Sequence, residues 1–433
     1  MKGESHLEAW AAELAKPTEA FFRAFADRIR DPEGPRDATR EALKYLIPEV
    51  DWAGYLPHLP TGLLGTWGVW RLRPQMADAS FHRLLAIQLH AFAHEQRKSR
   101  GLASIPAGSG NWNNIQAAIA TRRPSLAYGE ALAIGEPGSG DFRRLLAHGA
   151  ADMACMGQKG TAAWFLGDLW ERLDRPKATG RRLLALSAWL VAAEPADLFW
   201  SQRAGVRLAQ DPPAIALGPA KRPDTHPQAA REICDLGLVA MLDAFCGRLR
   251  TGATSGDLLS ALVLAASEKL LDARRDLEGK TSGTLVYLAS LAPMGRPGPY
   301  AQAAALVNLF PTDEPEDRVR PKPLPELPVD AAKGLLDAVL DAEPPEAMHA
   351  AIRLREEQGV DAVLRVLAEA ASCNDPAFNH SAQVLAVAAA AELLPVVTDA
   401  AQAALLTALS KNLANSQGSG DLGRRVDRAL VGP

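Results

Sequence analysis

Residues Ser255–Ala292 read SGDLLSALVLAASEKLLDARRDLEGKTSGTLVYLASLA, and this stretch decides the fold class. Its apolar residues recur at intervals of three and four, which is the spacing of one face of an α-helix. A small residue opens the stretch, and a charged and polar break separates two Leu-rich segments. The pattern therefore predicts two consecutive helices.

The rest of the chain repeats this pattern, because the strong helix formers Ala, Leu, Glu and Arg dominate it. Alternating Val, Ile and Thr stretches, which are typical of β-strands, are nearly absent. The sequence thus predicts an all-α protein. The further helical segments that the spacing predicts are Leu7–Ile29, Phe81–Arg97, Asp141–Met153, Thr161–Leu173, Arg181–Ala193, Gln228–Leu249, Gly256–Leu271, Ala331–Leu340 and Gln383–Leu394.

Three successive segments of the first half resemble three of the second half. Thr61–Ala93 matches Ser255–Ala292, and both read as a small-residue start, a helix, a polar break and a second helix. The two further matches are Glu130–Pro137 with Asp337–Pro344 and Asp141–Leu173 with Val363–Leu394. This order predicts two related multi-helix repeats packed about a pseudo-twofold axis, and an α-solenoid-like array is the alternative.

These matches define the expected domain organisation. We expect N-terminal helices over residues 1–60, a first helical repeat over 61–210, a linking helix over 211–254 and a second repeat over 255–433. The stretch Phe310–Pro328 is Pro-rich and charged, which predicts an extended connector within the second repeat.

Composition narrows the range of functions. The 433 residues are 48 % hydrophobic and 23 % charged with a net charge of −4, which excludes general disorder and gives no electrostatic basis for nucleic-acid binding. Apolar runs such as Leu183–Ala193 are too short to span a membrane. Since the first residues, MKGESHLEAW, lack the apolar core of a signal peptide, we expect a cytoplasmic protein.

The familiar sequence motifs of enzymes and metal sites are missing. The four cysteines, Cys155, Cys234, Cys246 and Cys373, form no CxxC pair. The sequence also lacks a phosphate-binding glycine loop, HExxH, GxSxG and an EF-hand loop. Histidine is therefore the best candidate for a reactive side chain.

Five of the histidines stand in informative positions. His148 and Asp152 are four residues apart on a predicted helix, so the carboxylate can orient the imidazole as a general base. His82 lies at the edge of an apolar helix stripe, and His380 precedes an Ala-rich helix. We expect these two as metal ligands. His90 is four residues from His94 and shares a face that can chelate a metal, although the helical wheel turns this face towards solvent.

Aromatic residues suggest where a substrate would bind. All nine Trp residues lie in the first half of the chain. Trp112 lies near the end of the small, polar loop 100–114, which fits a lid or binding loop, and Trp164 lies in a predicted helix. The polar residues Gln158 and Lys159 open that helix. We expect these four residues to bind substrate, although core packing is the ordinary role of a helical Trp.

The segments GQKGTAAWFLGDLWERL (Gly157–Leu173) and NHSAQVLAVAAAAELL (379–394) resemble a group of bacterial all-α proteins that is similar to questin oxidase-like proteins. The segments 258–271 and 279–291 share this resemblance. Relatives carry a Gly-His-Lys-Ala type motif, and some are joined to Rieske-type ferredoxin domains. The resemblance implies an oxidoreductase with iron or haem as cofactor and a ferredoxin-type electron donor.

The motif is altered in this chain. Gln158 replaces the first His of the motif, Ser381 follows His380 in the second copy, and Lys280 stands where relatives would show another His. If the histidines of the relatives hold iron or haem, part of that ligand set is missing here.

Two functions follow from these observations. The first is an oxidoreductase or oxygenase-like enzyme acting on a hydrophobic small molecule in a pocket between the two helical halves, with a His-bound metal. The second is a non-catalytic helical-repeat scaffold that binds a partner protein.

Overall fold

The computed structural model describes residues 2–18, 20–50, 61–95, 105–151, 158–193, 215–272, 280–309, 330–373, 380–417 and 422–431. Over these ranges the chain is all-α, as the sequence predicts. They contain no β-strand, and one isolated bridge joins Ala216 to Thr254. No helix within the described ranges has the length and apolar character needed to cross a membrane.

The chain divides into two compact units. Unit 1 comprises Met1–Arg71, Phe81–Ala196 and Arg424–Pro433, and unit 2 comprises Leu72–Ser80 and Asp197–Gly423. The predicted boundary at residues 210 and 211 and the predicted connector Phe310–Pro328 both lie outside the described residues.

The first ten helices and the last one lie wholly or mainly in unit 1. They are α1 (Lys2–Ala15), α2 (Phe21–Arg28), α3 (Gly34–Leu46), α4 (Thr61–Leu72), α5 (Asp78–Ala93), α6 (Trp112–Ala120), α7 (Pro124–Leu132), α8 (Ser139–Ala151), α9 (Gln158–Arg172), α10 (Lys177–Ala192) and α21 (Leu422–Val431). Helix α10 packs against α3, α6, α7, α8 and α9, and its residues 183–192 are all buried. It is the central helix of unit 1.

Ten helices of the described ranges belong to unit 2. They are α11 (His226–Asp235), α12 (Leu238–Arg250), α13 (Ser255–Asp272), α14 (Lys280–Leu291), α15 (Pro297–Asn308), α16 (Ala331–Leu340), α17 (Pro344–Gln358), α18 (Val360–Cys373), α19 (His380–Leu393) and α20 (Asp399–Asn415). Helix α20 packs against α13, α16, α17, α18 and α19. It holds the same central place in its unit that α10 holds in unit 1.

Two predicted helices are each divided in the structure. The segment Leu7–Ile29 separates into α1 and α2 around Pro17, because proline lacks the N–H that a continuing helix needs. Similarly, Gln228–Leu249 separates into α11 and α12 at Gly237, which has an extended ψ of 148° and precedes the first turn of α12. The apolar spacing continues across both breaks, so it does not reveal them.

One turn occurs in both units with the same geometry. Arg122 between α6 and α7 has a φ of 54°, and Ala342 between α16 and α17 has a φ of 58°. The following residues, Arg123 and Glu343, have a ψ of 79° in both turns, and each precedes a proline that begins the next helix. In this comparison Pro344 corresponds to Pro124, whereas the sequence match paired it with Pro137. The duplication itself stays a prediction.

Candidate functional site

The predicted tryptophans make packing contacts within unit 1. Trp112 is half-buried as the first residue of α6. Its Nε1 donates to Asp141 Oδ1 at 3.0 Å, and the Arg144 guanidinium lies 5.2 Å from its ring. Trp164 is half-buried and contacts Trp67 edge-on, with ring centroids 5.2 Å apart. Their predicted role in substrate binding stays a prediction.

Lys159 is inside the protein, since only 2 % of its surface is exposed. Its Nζ donates to the Ala193 carbonyl oxygen at 2.6 Å, at the end of α10. A cation at this point also interacts favourably with the negative end of the helix dipole. The side chain therefore joins the start of α9 to the end of α10. The side chain of Gln158, the first residue of α9, lies outside the described ones.

The loop before α6 is bound to α7 over its described part. One carboxylate oxygen of Glu130 accepts from the Ser109, Gly110 and Asn111 backbone N–H groups at 2.9, 3.1 and 3.4 Å. Burial opposes the ionisation of Glu130, but these hydrogen bonds and one from Asn114 hold the pKa of the carboxyl below its usual value. Residues 105–111 thus contact α7 closely, and residues 100–104 lie outside the described chain.

The predicted histidines fall in different units. His148 and His82 are half-buried in unit 1, and His148 Nε2 lies 3.5 Å from Gln116 Nε2. His380 begins α19 in unit 2, and its side chain is outside the described ones, as is Asp152. Across the described chain, no group of three or more His, Cys, Asp or Glu side chains is arranged to hold a metal ion. The catalytic and metal-binding roles of these residues stay predictions.

A different histidine forms the best-ordered polar site of unit 2. His226 is the first residue of α11, and Asp257 is the third residue of α13. Both are buried, with 2 % and 5 % of their surfaces exposed. His226 Nε2 lies 3.0 Å from Asp257 Oδ1.

Asp257 is held in place by the start of its own helix. Thr254 and Asp257 form a reciprocal capping box, in which the Thr254 N–H donates to Asp257 Oδ2 at 3.0 Å and the Asp257 N–H donates to Thr254 Oγ1 at 3.2 Å. The backbone N–H groups of Lys221 and Arg222 donate to Oδ1 at 2.8 and 2.9 Å. The carboxylate therefore has a fixed position before any ligand binds.

These hydrogen bonds keep Asp257 ionised. Burial raises the pKa of this carboxyl, but the donors from Thr254, Arg222 and His226 outweigh burial and hold the pKa far below its usual range. An ionised carboxylate can only accept, so His226 Nε2 carries the proton of their hydrogen bond. His226 Nδ1 is buried and has no hydrogen-bond partner in the structure.

The imidazole lines a small cavity of about 60 Å³, which we call the His226 cavity. Arg222, Thr225 and Thr251 are exposed at its rim. The Arg248 guanidinium also lines it and pairs with Glu232 at 2.7 Å. This space accommodates a few water molecules or the reacting end of a larger molecule.

A larger groove of about 550 Å³ runs along the other side of α11. Its lining comprises Pro227, which follows His226, together with side chains of both charges and Cys234. Burial raises the pKa of the Cys234 thiol to about 11, so this cysteine is a weak nucleophile. The groove is polar, and it differs from the hydrophobic pocket that the sequence predicts between the two halves.

His90 and His94 form a second histidine pair, in unit 1. Their Nε2 atoms are 3.1 Å apart. His94 is exposed, as the helical wheel predicts, but His90 is half-buried against Phe21 and Phe22, with ring centroids 5.1 and 4.8 Å away. Burial, followed by the charges of His94 and Arg425, lowers the pKa of His90 to about 4.

No family model, curated protein or solved structure matches the chain. The resemblance to questin oxidase-like proteins therefore stays a prediction. Sequence reasoning missed His226, although two local signals mark the site. TSGD (254–257) is a capping-box pattern, and His226 stands directly before Pro227 at a helix start.

Proposed function

We propose that the protein is a hydrolytic enzyme in which His226 is the general base. The observation that carries this proposal is the buried Nδ1 of His226, which has no hydrogen-bond partner among the described residues while Nε2 is bonded to Asp257. A neutral imidazole in this tautomer presents a lone pair at Nδ1. Because Nδ1 is buried from solvent, a small movement of the cavity lining must admit a water molecule before Nδ1 can accept its proton.

In the proposed reaction, the water oxygen attacks the carbonyl or phosphoryl centre of an ester while its proton moves to His226 Nδ1. The ionised Asp257 stabilises the imidazolium that forms. The ester bond then breaks, and His226 returns the proton to the leaving alcohol oxygen. Atoms and charge balance without a further reactant.

The substrate class follows from the cavity lining. Arg222 at the exposed rim supplies a positive charge, whereas the charge of Arg248 is already paired with Glu232. A small ester with an anionic group fits a site with one cation at its entrance. Because the cavity is small, only the reacting end of the substrate enters it.

The variant His226→Gln tests this proposal with p-nitrophenyl acetate and p-nitrophenyl phosphate as probes. We expect the wild type to hydrolyse at least one ester and the variant to lose about 100-fold or more of that rate, since general bases contribute about 10²–10⁴-fold. His349→Gln, in α17, is the matched control and keeps the wild-type rate. Equal rates in wild type and His226→Gln, or no turnover by the wild type, contradict the proposal.

The two functions expected from the sequence remain as further proposals. An oxidoreductase that uses His82 and His380 as metal ligands requires near-stoichiometric iron or another transition metal in protein purified without chelator. A scaffold that binds a partner protein requires that partner binding survive His82→Ala and His380→Ala. Elemental analysis with an absorption spectrum separates these two, because only the first contains metal or a haem band.

A further inference from the structure

We propose that His90 and His94 form a binding site for a divalent transition metal of the class that prefers imidazole, such as Zn²⁺, Ni²⁺ or Cu²⁺. The site lies at the end of α5, where the His94 backbone N–H donates to the His90 carbonyl oxygen at 3.1 Å and continues the helical turn. It is separate from the His226 cavity and does not depend on the hydrolytic proposal.

The distance between the two nitrogens fits a chelate. Two nitrogen ligands at about 2.0–2.1 Å from one ion, with angles of about 90–110° between them, are about 2.8–3.4 Å apart. The Nε2 atoms of His90 and His94 are 3.1 Å apart and belong to rings four residues apart on one helical face. Both rings therefore bring the ligand nitrogen to one point with little rearrangement.

The surroundings hold one ring and leave the other accessible. The His90 ring contacts Phe21 edge-on, and its plane is tilted by 34° to that of Phe22. The two phenylalanine rings restrict the rotation of the His90 side chain. This side chain therefore loses little further freedom when metal binds. His94 is exposed, which allows water to complete the coordination sphere.

The charges near His90 and His94 determine the metal affinity that we expect. Metal binding requires neutral imidazole, and burial of the His90 ring against Phe21 and Phe22 disfavours its charged form. The Arg425 guanidinium of α21 opposes a cation at this point, since it also lowers the pKa of His90. Two protein ligands beside one positive charge indicate micromolar rather than nanomolar affinity.

The test is calorimetric titration of chelator-treated full-length protein with ZnCl₂ and with NiCl₂ at pH 7.5. We expect one equivalent to bind with micromolar affinity and His94→Ala to weaken binding about tenfold or more, because the second ligand acts intramolecularly. His94 is exposed, so this variant should fold. His90→Gln tests the other ligand, after its circular dichroism has been shown to match wild type.

His349→Gln, in α17 of unit 2, is the matched control and should leave this binding unchanged. The proposal is overturned if wild type binds neither ion below millimolar concentration, or if His94→Ala binds as tightly as wild type. Binding that is lost in His349→Gln and kept in His94→Ala and His90→Gln would place the metal at another histidine and would also overturn the proposal.

Discussion

At the scale of single residues, Asp257 combines a role in the fold with a role in the proposed chemistry. Its carboxylate caps α13 through Thr254 and orients the imidazole of His226. The capping pattern could be read from the sequence, since both partners lie within four residues. The contact with His226 could not, because 31 positions separate the two residues and only the packing of α11 on α13 brings them together.

Asp257→Asn tests how much this carboxylate contributes to the unfolding free energy. Because its pKa is lowered by folding, its stabilisation is present above the unfolded value of about 3.9 and is lost as the pH falls towards the folded value. We expect the variant to lose about 2 kcal/mol of unfolding free energy at pH 7 and much less relative to wild type at pH 3. Urea unfolding at both pH values measures this difference.

The matched control for that experiment is Asp224→Asn, which changes an exposed carboxylate two residues before His226. It should change the unfolding free energy by less than about 0.5 kcal/mol at either pH. An Asp257→Asn protein as stable as wild type at pH 7, or a difference that is the same at pH 7 and pH 3, would be incompatible with the inferred ionised carboxylate.

At the scale of elements, apolar spacing located helices better than it located their ends. Ala331–Leu340 has the predicted bounds, because an Asp330 side chain caps its start and a left-handed residue follows shortly after its end. The helices that begin with proline, Pro124–Leu132, Pro297–Asn308 and Pro344–Gln358, were not predicted. Proline suits both a turn and the first turn of a helix, so its presence alone does not show where a helix starts.

The left-handed turn before α17 leads to a stability prediction. Ala342 has a φ of 58°, a conformation that costs a residue with a Cβ about 1 kcal/mol and costs glycine almost nothing. We expect Ala342→Gly to raise the unfolding free energy by up to about 1 kcal/mol in urea titrations. Ala338→Gly, inside α16, is the control and should lower it by about 1 kcal/mol or more. Two equally destabilised variants would show that the turn carries no strain.

At the scale of the whole molecule, helix content could be predicted from composition and periodicity, because both act locally along the chain. The division into two units depends on contacts between distant segments, such as the inclusion of Leu72–Ser80 in unit 2 and of Arg424–Pro433 in unit 1. Each predicted repeat is one uninterrupted range of residues. Such a range cannot assign a short internal segment or the end of the chain to the other unit. The turn at Arg122 recurs at Ala342, but it pairs Pro344 with Pro124 and not with Pro137, so the duplication stays a prediction.

The central claim is that His226 holds its proton on Nε2 and leaves Nδ1 free to accept another. Long-range ¹H–¹⁵N correlation of histidine-labelled protein at pH 7 tests it most directly, with His226→Gln to assign the signal. We expect Nε2 to carry the only proton and Nδ1 to resonate as an unprotonated ring nitrogen. A proton on Nδ1, alone or together with Nε2, would contradict the claim and remove the base from the proposed reaction.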